Sequence, residues 1–159
     1  MTSRSIYTPV ASEVLTAANL KKLAAGWIGY ATVTANQTGI TTEVDLTNLT
    51  VTVTVPADRL IVVEAYGFRI SSATADDIAN FRIKESTTQL AESRVDCGQP
   101  SAGNGGNFGY VATAPFTPSA GSHAYKTTLS LAAGTGDLAF RAAADTPAWI
   151  RVIDIGSST

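Results

Sequence analysis

Few side chains in this sequence are of the types that carry out chemistry, and their spacing narrows what that chemistry can be. His123 is the only histidine, so a serine triad would have to use it as base, and a metal site would have to be built from carboxylates. No serine stands in a Gly-x-Ser-x-Gly turn after a strand pattern, the geometry that exposes a nucleophile. His123 itself follows Gly121-Ser122 and reads as a strand-edge residue at the mouth of a turn, without a partner motif. Asp76 and Asp77 are adjacent between two strand patterns, and such a pair can hold Ca²⁺ or act as acid and base. A calcium loop spaces its ligands at alternate positions around a glycine, however, and Ala73-Thr74-Ala75-Asp76-Asp77-Ile78 reads as a solvated turn. Glycosidase chemistry needs two carboxylates about 5 to 9.5 Å apart across a cleft. The candidates are Glu64, Asp76, Asp77, Glu85 and Glu92, several of them expected to point to solvent, and a pair meeting across a subunit boundary stays open. Gly103-Asn104-Gly105-Gly106 precedes a strand at Phe108 rather than the helix a phosphate cradle requires. Cys97, the single cysteine, can form no internal disulfide, and with Asp96 beside it and no nearby His or Lys it is expected to be inert. The expectation is a protein with no catalytic residue, no metal and no cofactor.

Aromatic side chains are the other resource. Trp27, Tyr30, Tyr66, Tyr110, Tyr125 and Trp149 could stack on sugars if displayed in a row. Rings inside strands more often serve the core or a subunit interface, because burying them contributes so much packing energy. The elements that must position them are strands. Leu49, Val51, Val53 and Val55 alternate with Thr50, Thr52 and Thr54, a period no helix has. After a turn at residues 56–59, Leu60, Val62, Tyr66, Phe68 and Ile70 oppose Ile61, Val63 and Ala65, as in a strand buried on both sides. Phe81 and Ile83 alternate with Arg82 and Lys84. Phe108, Tyr110, Ala112 and Ala114 alternate around Val111 and Thr113, and His123, Tyr125, Thr127, Leu129 and Leu131 oppose Lys126, Thr128 and Ser130. Gly134-Thr135-Gly136-Asp137 is expected to reverse the chain between the strand ending near Ala132 and one from Leu138 to Ala143, and a last strand runs from Trp149 to Ile155. About nine short strands at this spacing predict an all-β fold, an antiparallel jelly-roll-like β-sandwich.

Residues 1–26 differ from the rest and read as an arm, with residues 27–159 as the head. Thr16 can cap a short helix over Ala17–Ala25, with Leu15 and Leu20 as a hydrophobic staple and Gly26 as its stop. Leu15, Ala17, Leu20 and Leu23 would form a narrow apolar surface, and a helix of that length needs a surface to rest on. Residues 98–107 contain four glycines and a proline and are expected to be a long flexible loop.

Composition excludes several classes. The 159 residues are 45% apolar and only 15% charged, below the roughly 25% charge of an ordinary soluble domain. Eleven basic and thirteen acidic side chains give a net charge of −2, which offers a nucleic-acid backbone no electrostatic footprint. Apolar runs are too short to span a bilayer, and the opening residues contain no apolar signal core. Membrane insertion is therefore not expected.

Several blocks carry a resemblance. Tyr7-Thr8-Pro9 with Glu13-Val14-Leu15-Thr16-Ala17-Ala18-Asn19-Leu20 is similar to the "gEVLTAANLN" opening of short virion structural proteins of tailed bacteriophages, particularly those of actinobacterial hosts. These are often named minor tail proteins. Gly26-Trp27-Ile28-Gly29-Tyr30, the stretch from Val33 to Thr42, and Pro147-Ala148-Trp149-Ile150-Arg151-Val152-Ile153-Asp154-Ile155-Gly156 resemble other blocks of the same group. Departures fall at Lys21-Lys22 and around residues 98–116. The resemblance implies a non-enzymatic building block of a phage particle. It would attach through its N-terminal arm to capsid or tail proteins and carry a sandwich head that assembles as a homotrimer. Low charge and surplus aromatics suit a chain that buries one sheet face inside the subunit and another against its copies, with Tyr66, Phe68, Tyr110 and Phe140 as candidates for trimer core or interface. The other expectation is a receptor module that binds a host-surface glycan through exposed aromatics and the loop at 98–107.

Overall fold

The computed structural model describes residues 26–97 and 106–158. The expected arm helix, its residues Leu15, Ala17, Leu20 and Leu23, and most of the glycine-rich loop lie outside them. The described residues form an antiparallel β-sandwich without helices, in ten strands: β1 (Gly26–Val33), β2 (Gln37–Ile40), β3 (Val44–Val55), β4 (Arg59–Ser72), β5 (Ile78–Glu85), β6 (Thr88–Asp96), β7 (Asn107–Ala112), β8 (Gly121–Ala133), β9 (Leu138–Arg141) and β10 (Ala148–Ser157). One sheet runs β3-β8-β5-β6. The other runs β1-β10-β4, with β7 on the far edge of β4, and continues from the end of β4 through β9 to β2. Consecutive strands mostly alternate between sheets, the connectivity of a jelly-roll-like sandwich.

The alternation at Leu49–Val55 lies within β3, with its valines buried and its threonines exposed. Between the sheets lie Leu46, Leu49, Ile61, Val63, Ile70, Phe81, Ile83, Tyr125, Leu129, Leu138, Phe140 and Ile150, all at most 2% exposed. Phe81 of one sheet faces Phe140 of the other at 6.3 Å between ring centroids. The sheets close together at one side through β1, where a Cβ on Gly29 would lie 2.3 Å from Val53 and 2.7 Å from Val51; only a residue without a side chain permits that approach.

Three features differ from the sequence reading. The two faces of β4 do not keep their register to the end. A bulge between Gly67 and Ile70 shifts the phase, so Ile70 joins Ile61, Val63 and Ala65 in the core while Leu60, Val62, Tyr66 and Phe68 face outward. The turn at Gly134–Asp137 is not a hairpin, because β8 and β9 belong to different sheets. It crosses the end of the sandwich over Asp77, whose carboxylate accepts hydrogen bonds from the Thr135 amide at 3.1 Å, the Gly136 amide at 3.4 Å and the Ser72 hydroxyl at 2.5 Å. Asp77 is thus fully buried and ties two turns together, where a solvated turn was expected.

Candidate functional site

The outward side chains of β7 mark the site. In β7 the aromatic residues point away from the core. Gly109 and Val111 are buried, whereas Phe108 and Tyr110 are 66% and 45% exposed. The space beneath is already full, since a Cβ at Gly109 would lie 2.8 Å from Ile70 and 3.0 Å from Phe81. Glycine therefore takes the inward positions and the rings go outside. The same outward direction holds for Trp27 and Tyr30 of β1, Trp149 and Arg151 of β10, and Tyr66 and Phe68 of β4.

Register aligns these side chains. Trp149 pairs with Tyr66, which pairs with Tyr110, and one row along, Tyr30 pairs with Arg151, which pairs with Glu64. The rings are nearly parallel to their neighbours. Centroids are 6.0 Å apart for Trp27 and Tyr30, 5.8 Å for Trp149 and Tyr66, and 6.4 Å for Tyr66 and Phe108. Arg151 joins the two groups, its guanidinium carbon 4.8 Å from the Trp27 ring centre and 4.7 Å from that of Trp149. It is also ion-paired with Glu64, through Nε at 2.7 Å and Nη2 at 2.6 Å, both to Oε2. Burial, together with the nearby Glu64 charge, raises the pKa of Tyr110. An aromatic stripe with one ion pair at its centre therefore crosses four strands, roughly 15–20 Å at the usual strand spacing. All five large hydrophobic side chains that are strongly exposed among the described residues (Trp27, Tyr30, Phe68, Phe108 and Tyr110) lie on this face.

Of the residues singled out as core or interface, Tyr66, Phe68 and Tyr110 come together here, and Phe140 sits in the core. Tyr125, counted among the rings that might meet a sugar, is also fully buried. Trp27, Tyr30, Trp149, Arg151 and Phe108 complete the stripe. The sequence signal that could have found the pairing with Arg151 was the run Trp149-Ile150-Arg151, which places both residues on one face of a strand.

The residues weighed for catalysis go to separate places. Glu64 is held in the stripe, Asp77 in its turn, and Glu92 against Arg82 at 2.6 Å. Asp76 is exposed at the tip of the turn with φ near 61°. His123 is not at a strand edge but buried at the start of β8, in the middle of its sheet, between the Glu85 carboxylate (Nδ1, 2.7 Å) and the Ser119 carbonyl (Nε2, 2.8 Å). With an oxygen acceptor on each ring nitrogen, the protonated form is favoured and the pKa is raised, chiefly by Glu85. Cys97 is buried, and loss of hydration, with Asp77 and Asp96 behind it, raises its thiol to about 11, so the thiolate is suppressed. Among the described residues no cluster of three or more metal-ligating side chains occurs, and no helix is long and apolar enough to cross a membrane.

No protein-family model matches the sequence, and no curated protein matches it either. Solved structures of similar shape include the Eiger TNF of S. frugiperda (10% identity, TM-score 0.42, covering 84% of this chain and 96% of that one). A carbohydrate binding module, CBM6cm-2 of Cellvibrio mixtus lichenase 5A, in complex with cellotriose, is similar at 15% identity and TM-score 0.31, over 76% of this chain and 97% of that one. The infectious bursal disease virus Gx strain structure is similar at 12% identity and TM-score 0.35, over 80% of this chain and 38% of that one. At these scores the likenesses carry no functional weight, and the chain is described by its own geometry as an antiparallel β-sandwich with one aromatic outer face.

Proposed function

We propose that this protein is a non-enzymatic structural component of a tailed bacteriophage virion, a minor tail component or a capsid decoration protein. In this reading it self-associates, as a homotrimer, through the outer face of the β1-β10-β4-β7 sheet and attaches to the particle through residues 1–26. The observation that carries the reading is the concentration of exposed aromatic side chains on that face, in a chain with few charges. A contiguous apolar face on a small domain marks a place that another molecule covers. The resemblance of the opening, middle and closing sequence blocks to phage virion proteins supports the particle context. Light scattering and native mass measurement at micromolar concentration test it. A trimer is expected, and a stable monomer overturns it. Removing residues 1–25 is expected to leave a folded head that no longer joins the particle.

A second reading is favoured by the exposure of Trp27, Tyr30 and Phe108: the face binds a host-surface glycan. Binding of the purified chain to host cell-wall polysaccharide, lost on Trp27→Ala with the oligomer intact, would put that reading first.

A further inference from the structure

The stripe is not a bare apolar surface, since the Arg151–Glu64 ion pair lies in its middle. We propose that this ion pair is the element that sets register and copy number when the faces of identical chains meet. The proposal rests on the self-association reading above and adds to it which residues make the assembly unique.

The occupant is a second copy of this chain for three reasons. First, the charges on the stripe cancel. Arg151 and Glu64 neutralise each other, so identical faces brought together have no net charge to repel them, and each presents both a cation and an anion to the other. Second, Nε and Nη2 of Arg151 are spent on Glu64, while Nη1 finds no acceptor among the described residues. An acceptor on a neighbouring copy, Glu64 included, would complete it. Third, the middle of the stripe is already stacked on itself. Arg151 covers one face each of Trp27 and Trp149, and Tyr66 lies between Trp149 and Phe108. Trp27 and Phe108 at its two ends stay more than 60% exposed, so a broad protein surface laid over the whole stripe buries them.

Apolar contact is non-directional, so aromatic faces alone permit several rotations and copy numbers. A desolvated ion pair tolerates only arrangements in which its donors and acceptors are met, and polar groups inside apolar interfaces set oligomer state in this way. Arg151 then acts as a positioning residue rather than as a source of affinity.

The test compares Arg151→Met, Arg151→Met with Glu64→Met, and Trp27→Ser with Phe108→Ser, all in the full chain, by native mass spectrometry and sedimentation, with circular dichroism to verify the strands. Arg151→Met leaves Glu64 unpaired and is expected to weaken association at least tenfold. The Arg151→Met/Glu64→Met pair is expected to restore association and to yield two or more copy numbers where the wild type has one. A single unchanged copy number in that double variant overturns the proposal and leaves self-association standing. Unaltered association in Trp27→Ser/Phe108→Ser, with strands intact, overturns the choice of face, and with it both this proposal and self-association through that face.

Discussion

On the outer face of the β3-β8-β5-β6 sheet, charges form a network of ion pairs. Arg82 reaches Glu92 at 2.6 Å and Glu43 at 3.3 Å, Lys84 reaches Glu43 at 3.1 Å, and Lys126 reaches Asp45 at 2.9 Å. The threonines of β3 fill the rest. Across the sandwich, the outer face of β1-β10-β4-β7 carries Trp27, Tyr30, Tyr66, Phe108, Tyr110 and Trp149 around a single ion pair. Both faces are made by the same alternation of antiparallel strands, and neither contributes to the core between them. The difference lies in what each face needs from outside. Salt-bridged threonine surface is complete in water, whereas aromatic surface of this extent gains free energy only when something covers it. In this chain the surplus of exposed aromatics is thus localised on one sheet, and the outer face of the other is polar.

The largest expected effect comes from erasing the aromatic side of that contrast. Trp27→Ser with Phe108→Ser removes two rings that are more than 60% exposed, and loss of about 2 kcal/mol per ring would weaken association by roughly three orders of magnitude. Folding should change little, which sedimentation together with a thermal melt would check. Moving the aromatic strand itself is expected to cost less. Gly29→Ala drives a methyl into Val51 and Val53, and overpacking of this kind costs about 1–3 kcal/mol. The denaturant midpoint should fall, and association should fall with it because β1 carries Trp27 and Tyr30.

Perturbing the charged face is expected to matter less again. Glu43 accepts from Thr128, Lys84 and Arg82, which together hold its carboxyl below the usual range. The site is partly exposed, so Glu43→Ala should destabilise by only about 0.5–1 kcal/mol, less at high salt, with no change in copy number. A change in copy number would mean that this face too is an interface.

The smallest expected effect is a pH dependence seated beneath the charged face. His123 is held above its ordinary pKa by Glu85 and the Ser119 carbonyl. The pair's contribution to stability is therefore full below the unfolded value and fades as the pH rises through the raised one. Thermal midpoints should decline over that window in the wild type and not in Glu85→Gln, while the aromatic assembly shows no matching step.

How far the sequence reveals these features depends on the range of the interactions involved. The alternation at Leu49–Val55 reports a strand because period two is a local property of the backbone, and β3, β5 and β8 follow their patterns closely. The phase change in β4 is not local, since a bulge places Ile70 inside and Tyr66 outside only when the partner strands are in register. For β7 the sequence leaves Tyr110 open between core and interface. Phe108 and Tyr110 face outward because Ile70 and Phe81, distant in sequence, occupy the space beneath Gly109. Asp77 shows the same limit: its neighbours in sequence look like a solvated turn, and its ligands come from Thr135 and Gly136.

What the sequence determined by itself was class and chemistry of the short-range kind. Strand periodicity, the lone His123, the lone Cys97 and the low charge follow from residue type and spacing, and these set an all-β chain. Only the tertiary structure decided which face of each strand turns outward, that Arg151 lies between Trp27 and Trp149, and that Glu64 meets it. Those outcomes depend on packing volume and on pairing between strands far apart in the chain, as the pairing of Tyr30 with Arg151 illustrates. Such contacts are set by competition for space in a close-packed interior, a quantity that no window of local sequence contains.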